Sequence, residues 1–129
     1  MPEPVFFISH FAIKEGALDA LKGMSEDATE RLRQEKPRTV LFLSYLDEEA
    51  GRISFLHAFP DAAAMDEHVA GADERSAAAY EFMEPRGWEI YGRPSEQVME
   101  GMRATAERFG VALVVEPEFN GGFLRLGSA

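Results

Sequence analysis

The sequence predicts an α+β fold built on an antiparallel sheet, in the split βαβ arrangement of ferredoxin-like folds, with a helix-strand extension at its C-terminal end. Three observations carry this. Stretches rich in β-branched and aromatic residues alternate with stretches of helical period. Their order is strand, helix, strand, strand, helix, strand before a last helix begins. The length, 129 residues, suits a single domain over 1–129, with a core over about 5–94 and the extension over about 95–129.

Val5 to Ile13, "VFFISHFAI", reads as the first strand and is closed by Lys14-Glu15-Gly16. The period then changes: Leu18, Leu21, Ser25, Ala28 and Leu32 fall on one helical stripe, and Pro37 ends that helix. Thr39 to Leu46 and Arg52 to Phe59 flank the turn-like "DEEAG" and predict an antiparallel hairpin. Asp61 is the natural N-cap of the second helix, whose stripe is Ala62, Met65, Val69 and Ala72. Gly71 is a point at which it can break, and Ala72, Ser76, Ala79, Tyr80 and Met83 continue the period to Pro85, so a kinked or two-piece helix is expected. Gly87 to Gly92 predicts a short fourth strand. Ser95 caps a third helix with Val98, Met102, Thr105 and Phe109 on one face and Gly110 as its stop. "VALVVEP" and "GFLRL" supply one or two further short strands.

The first two strands are apolar on both faces. Val5, Phe7, Phe11 and Ile13 face one way while Phe6, Ile8 and Ala12 face the other, and Leu41, Leu43 and Tyr45 stand opposite Val40, Phe42 and Leu46. Two crossover helices cover one face. The simplest cover for the other is a second copy, a homodimer joined through the sheet face; the alternative is that the C-terminal extension wraps back over it.

Composition narrows the function. With 46% hydrophobic and 28% charged residues the chain has the balance of a folded globular protein. A net charge of -10 repels a phosphate backbone and argues against nucleic acid as a partner. The N-terminal stretch lacks a basic segment before a long apolar run, and no apolar run approaches the roughly 18–20 residues that span a bilayer, so no membrane partner and a cytoplasmic location are expected. The absence of cysteine excludes disulfides and thiolate chemistry.

Leu56 to Val69, "LHAFPDAAAMDEHV", resembles the strand-end and helix signature of the antibiotic-biosynthesis monooxygenase family, part of the dimeric α+β barrel superfamily. Phe59, Asp61, Ala64 and His68 match the aromatic, Asp, Ala and His positions of that pattern, and His57 stands where a Glu is common. The resemblance implies a pocket between the sheet and the helices of each subunit. It also implies oxidation of quinol or polyketide-type aromatics by dioxygen without a cofactor; other members of the superfamily degrade heme, and many have no known activity.

Cofactor-free oxygenation needs a base near neutral pKa, polar groups that hold a substrate anion and an apolar pocket. Histidine suits the first role. His68, at the edge of the helical stripe, is the candidate base, with His57 as its partner. His10, Phe7, Tyr45, Phe55, Tyr80 and Trp88 are candidate substrate-binding residues. Each histidine also has a packing role open to it, as a buried ring satisfied by a carbonyl or hydroxyl. No residue spacing points to a metal. The superfamily resemblance implies that heme degradation would use an axial ligand, usually a second histidine about one turn beyond the first; Ala70 to Arg75 contains none, so only His10 or His57 could supply it. The expected function is a monooxygenase acting without a cofactor on a small aromatic or quinol. The alternative is a non-catalytic barrel that binds a hydrophobic small molecule.

Overall fold

β1, Val5–Ile13, occupies the centre of the sheet because it is apolar on both sides and can be paired along both edges. The computed structural model describes residues 3–125. In chain order β1 is followed by α1 (Leu18–Glu35), β2 (Leu41–Asp47), β3 (Arg52–Phe59), α2 (Ala62–Val69), α3 (Ala72–Ala79), β4 (Met83–Tyr91), α4 (Glu96–Phe109) and β5 (Ala112–Glu116). The sheet runs β2-β3-β1-β4-β5. β1 is antiparallel to β3 and β4, and β2 to β3, which is the ferredoxin-like order. β5 joins β4 in parallel and widens the sheet at that edge.

Local chemistry sets the helix ends. The Asp61 carboxylate accepts the Ala64 amide at 2.8 Å and starts α2, and the Ser95 hydroxyl accepts the Val98 amide at 3.2 Å and starts α4. Gly71, at φ 80°, separates α2 from α3, and Gly110, at φ 65°, closes α4. Arg38 straps the start of α2, reaching Asp61 at 2.7 Å and Glu67 at 3.1 Å.

One sequence expectation is corrected here. The helical spacing of Ala79, Tyr80 and Met83 suggested a helix running to Pro85, but α3 ends at Ala79 and β4 already begins at Met83. Pro85 is tolerated in the strand because it lies beside a break in register: His10 pairs Gly87 and Phe11 pairs Pro85, so Arg86 is the extra residue of a bulge. "GFLRL" forms no strand over its described residues, 122–125; Leu126 lies outside them.

All four helices lie on one face of the sheet. Leu21 of α1, Ala64 and Met65 of α2, Ala79 of α3 and Val98 and Met99 of α4 pack on Val5, Phe11, Ile53, Phe55, Phe59 and Ile90. The opposite face carries Phe6, Ile8, Leu43, Tyr45, Leu56 and Val114, with Tyr45 61% and Val114 46% exposed. The described part of the C-terminal extension reaches only one corner of it, where Glu118, Phe119 and Asn120 line a cavity of about 260 Å³ together with Phe6 and Tyr91. α4 packs with the other helices, β5 only adds width, and Phe123 and Leu124 beyond β5 are exposed.

Gly92 closes β4 where the chain passes the N-terminal segment. Its φ is 107°, and a Cβ there would stand 2.6 Å from the Pro4 carbonyl oxygen. Gly92→Ala is expected to destabilise the fold by about 1–3 kcal/mol in urea denaturation at fixed protein concentration, and an unchanged midpoint would show that this crossing is not rigid.

Candidate functional site

His57 and His68 meet beneath the helices. His57 points from β3 to the helix-covered face, between Phe55 and Phe59 in the strand alternation, and His68 lies one turn after Ala64 on the buried side of α2. Their ring centroids are 5.1 Å apart and nearly perpendicular. Phe7, Phe42 and Phe59 complete an aromatic box around His57, and Phe59 also touches His68.

Each ring is anchored through Nδ1. His57 Nδ1–H donates to the Phe7 carbonyl at 3.0 Å, which fixes its proton on that nitrogen. His68 Nδ1 lies 2.7 Å from the Thr39 hydroxyl oxygen. In both rings Nε2 is the atom left for chemistry. Burial is the main force on their protonation: it pushes His57 down to about 4. It pushes His68 down to about 3, helped by the His57 ring and by Arg75 and Lys36. Both are therefore neutral at pH 7. The two cations also hold the end of α2, because Arg75 donates to the carbonyls of His68 and Ala70, and Lys36 to those of Glu67 and Ala70.

A cleft between α1 and β2 leads toward this pair. It has a volume of about 190 Å³ and is lined by Thr29, Leu32, Arg33, Thr39, Val40, Leu41 and Phe42. Thr39 is bonded to His68 and the Phe42 ring is 5.1 Å from the His57 ring, so the imidazoles stand directly behind the cleft wall.

The remaining sequence candidates divide into three places. Phe7 and Phe55 belong to the neighbourhood of the pair, Phe7 at 4.9 Å from His57 and Phe55 stacked on Phe42 at 5.7 Å. Tyr80 and Trp88 lie on the same side of the sheet but farther along it, around Phe11 and Phe109, where burial raises the Tyr80 phenol. His10 and Tyr45 are on the opposite face and cannot line the same cleft within one chain. There His10 Nδ1 is 2.8 Å from the Ser54 hydroxyl, its Nε2 meets Glu89, and the Tyr91 hydroxyl donates to Glu89 at 2.6 Å. His10 is thus removed from His68, and with it one of the two histidines that could have joined His68 on heme. Among the described residues no three His, Asp or Glu side chains are grouped as a metal site. No helix among them is long and apolar enough to cross a membrane.

Sequence reasoning missed Thr39, Phe42 and Arg75. Thr39 precedes β2 and Arg75 lies in α3, and neither carries a local pattern that announces a contact with residue 68; only the fold brings them together.

Two buried neutral imidazoles make stability depend on pH. Their folded pKa values lie below the unfolded value of about 6.5, so the unfolded chain takes up protons first as pH falls. The stabilisation is complete well above pH 6.5 and is lost as pH falls to about 4 for His57 and about 3 for His68. Between pH 7.5 and pH 5 the loss should be about 2 kcal/mol for each ring, read as a falling melting temperature. A flat profile over that range would mean that the rings are already solvated.

No protein-family model matches the sequence, and no curated protein matches it significantly. Solved structures do. MupZ from Pseudomonas fluorescens superposes with a TM-score of 0.69 at 15% identity, over 95% of this chain and 95% of that one, so the likeness takes in the C-terminal extension. SnoaB from Streptomyces nogalater, described as a cofactor-independent oxygenase, gives 0.59 at 12% identity over 72% and 95%. A putative antibiotic biosynthesis monooxygenase from Caulobacter crescentus CB15 gives 0.61 at 13% identity over 69% and 88%. The chain therefore has the α+β fold of the antibiotic biosynthesis monooxygenases, the fold that the Leu56–Val69 signature leads one to expect.

Proposed function

We propose that the protein is a cofactor-independent monooxygenase that oxidises a small aromatic or quinol-type substrate in the cleft between α1 and β2, and that it works as a homodimer joined through the open sheet face. The observation that carries this reading is the His57–His68 pair: two neutral imidazoles, each held by Nδ1, behind the wall of a cleft in a fold shared with a cofactor-independent oxygenase.

In this reading the His68 tautomer has its proton on Nδ1, donated to the Thr39 hydroxyl, and Nε2 takes the proton from an acidic hydroxyl or activated carbon of the substrate once the bound anion offsets the burial that holds the resting ring near 3. The substrate anion passes an electron to dioxygen, the two radicals combine, the peroxide anion takes the proton back from His68, and the hydroperoxide loses water. One oxygen atom stays in the product, the other leaves as water, and the substrate supplies both electrons. Arg75 and Lys36, which disfavour a proton on His68, favour an anion beside it by the same Coulomb interaction. Phe42, Phe55 and Phe7 supply apolar and stacking surface.

The cleft volume, about 190 Å³, is below the ~300 Å³ at which ligand pockets usually begin, so substrate entry requires the Phe42 side of the wall to move. The same narrowness favours a second reading, a barrel that binds a hydrophobic molecule without converting it. Oxygen uptake separates the two. Metal-free protein should consume oxygen with at least one member of a quinol and anthrone panel, and His68→Ala should lower turnover per folded molecule by about 100-fold or more. Silence across the panel, or a variant that turns over unchanged, would leave only the binding reading.

A further inference from the structure

Across the open face, Ser54 of β3, His10 of β1 and Glu89 and Tyr91 of β4 form one hydrogen-bonded row, with Ile8, Leu56 and Val114 beside it and Glu116 paired with Tyr91 at its end. Serine, histidine and carboxylate stand in the order of a nucleophile, a base and its orienting acid. Yet β1 and β3 are each paired on both edges, so their amides are committed to the ladder and no pair of N–H donors is left to hold an oxyanion. The row is not a hydrolytic triad.

We propose instead that this row is the polar key of the sheet-to-sheet homodimer: two copies meet through the open face, and the closed Ser54–His10–Glu89–Tyr91 network sets the register in which they dock. This rests on the dimer of the proposed function and is independent of the oxygenase chemistry.

The occupant is a second copy for three reasons. The four helices of the described residues lie on the other face, and the described C-terminal residues reach only the Phe6 and Tyr91 corner of this one. Five strands about 4.8 Å apart and about 25 Å long present roughly 600 Å² of flat area, which with side-chain relief approaches the ~800 Å² per partner of a stable interface. The charge pattern also fits, because Asp47, Arg52, Glu84 and Glu116 lie at or next to strand ends while the centre is apolar around the row.

The network itself is built for burial. Both ring nitrogens of His10 and both carboxylate oxygens of Glu89 are partnered inside the chain, so covering them leaves no donor or acceptor unmet. The hydrogen bond from His10 is the leading cause that holds the Glu89 carboxyl below its ordinary range. A purely apolar sheet face would let two copies slip along each other by two residues at little cost. A polar row that must meet its counterpart at one place penalises every other register.

Sedimentation over a concentration series tests this. The wild type should run at about twice the 14.3 kDa of the chain. His10→Leu strands the Glu89 carboxylate and Glu89→Leu strands His10 and Tyr91, so each should raise the dimer dissociation constant at least about tenfold. The double variant should recover much of the affinity but give doubled or broadened amide signals from the sheet, the sign of lost register. If a leucine variant does not fold, Tyr91→Phe, which removes one hydroxyl, should still weaken the dimer several-fold. A 14 kDa species at all micromolar concentrations would remove the dimer itself. A dimer whose dissociation constant ignores these substitutions would keep the dimer and overturn the key.

Discussion

A sheet that is apolar on both faces but covered by helices on only one is the constraint from which the rest of this molecule follows. Helix cover decides which side chains become core: Val5, Phe11, Ile53 and Phe59 are buried, while Phe6, Ile8 and Leu56 on the same strands stay partly accessible. It also sorts the polar residues. His57 is carried into the covered side and must be desolvated; His10, on the neighbouring strand, is carried out to the open side and keeps an ionisable partner. One alternation rule, applied to two adjacent strands, separates two histidine sites that the linear sequence does not distinguish.

On the covered side the energetics favour neutral rings. Desolvation penalises imidazolium in both His57 and His68, and the nearby guanidinium and ammonium groups add to the penalty at His68. A pair arranged this way accepts a proton only when a compensating anion arrives, and the proposed acidic substrate would create that situation by giving up its proton in the cleft. The aromatic box around the rings serves packing and chemistry together, since it excludes water and offers stacking surface.

Much of the architecture was legible in the sequence because it is dictated locally. The bounds of β1 and β3, the Asp61 and Ser95 caps, the break at Gly71 and the stop at Gly110 all follow from residues acting on their own backbone. The start of β4 was not legible, because Ala79, Tyr80 and Met83 keep a helical spacing through a turn and Pro85 looks like a helix stop until the bulge opposite His10 and Phe11 is known. At the site, the adjacency of His57 and His68 could be anticipated from a strand that runs directly into a helix. The cleft wall could not, since Phe42 arrives on a strand two positions from the sheet centre and Thr39 on the segment that leads into it. Strand alternation put His10 and His57 on definite faces, but which face the helices cover is a tertiary fact, and so His10 and Tyr45 could not be set apart from the cleft beforehand.

The central claim is that His68 waits as a neutral ring with its proton on Nδ1 toward Thr39 and a bare Nε2. Long-range nitrogen–proton NMR correlation of the imidazoles at pH 7 reads this state directly, without any substrate. The account predicts neutral rings for both His57 and His68, each protonated at Nδ1 and unprotonated at Nε2. A proton on His68 Nε2, or an imidazolium at either position, would contradict it.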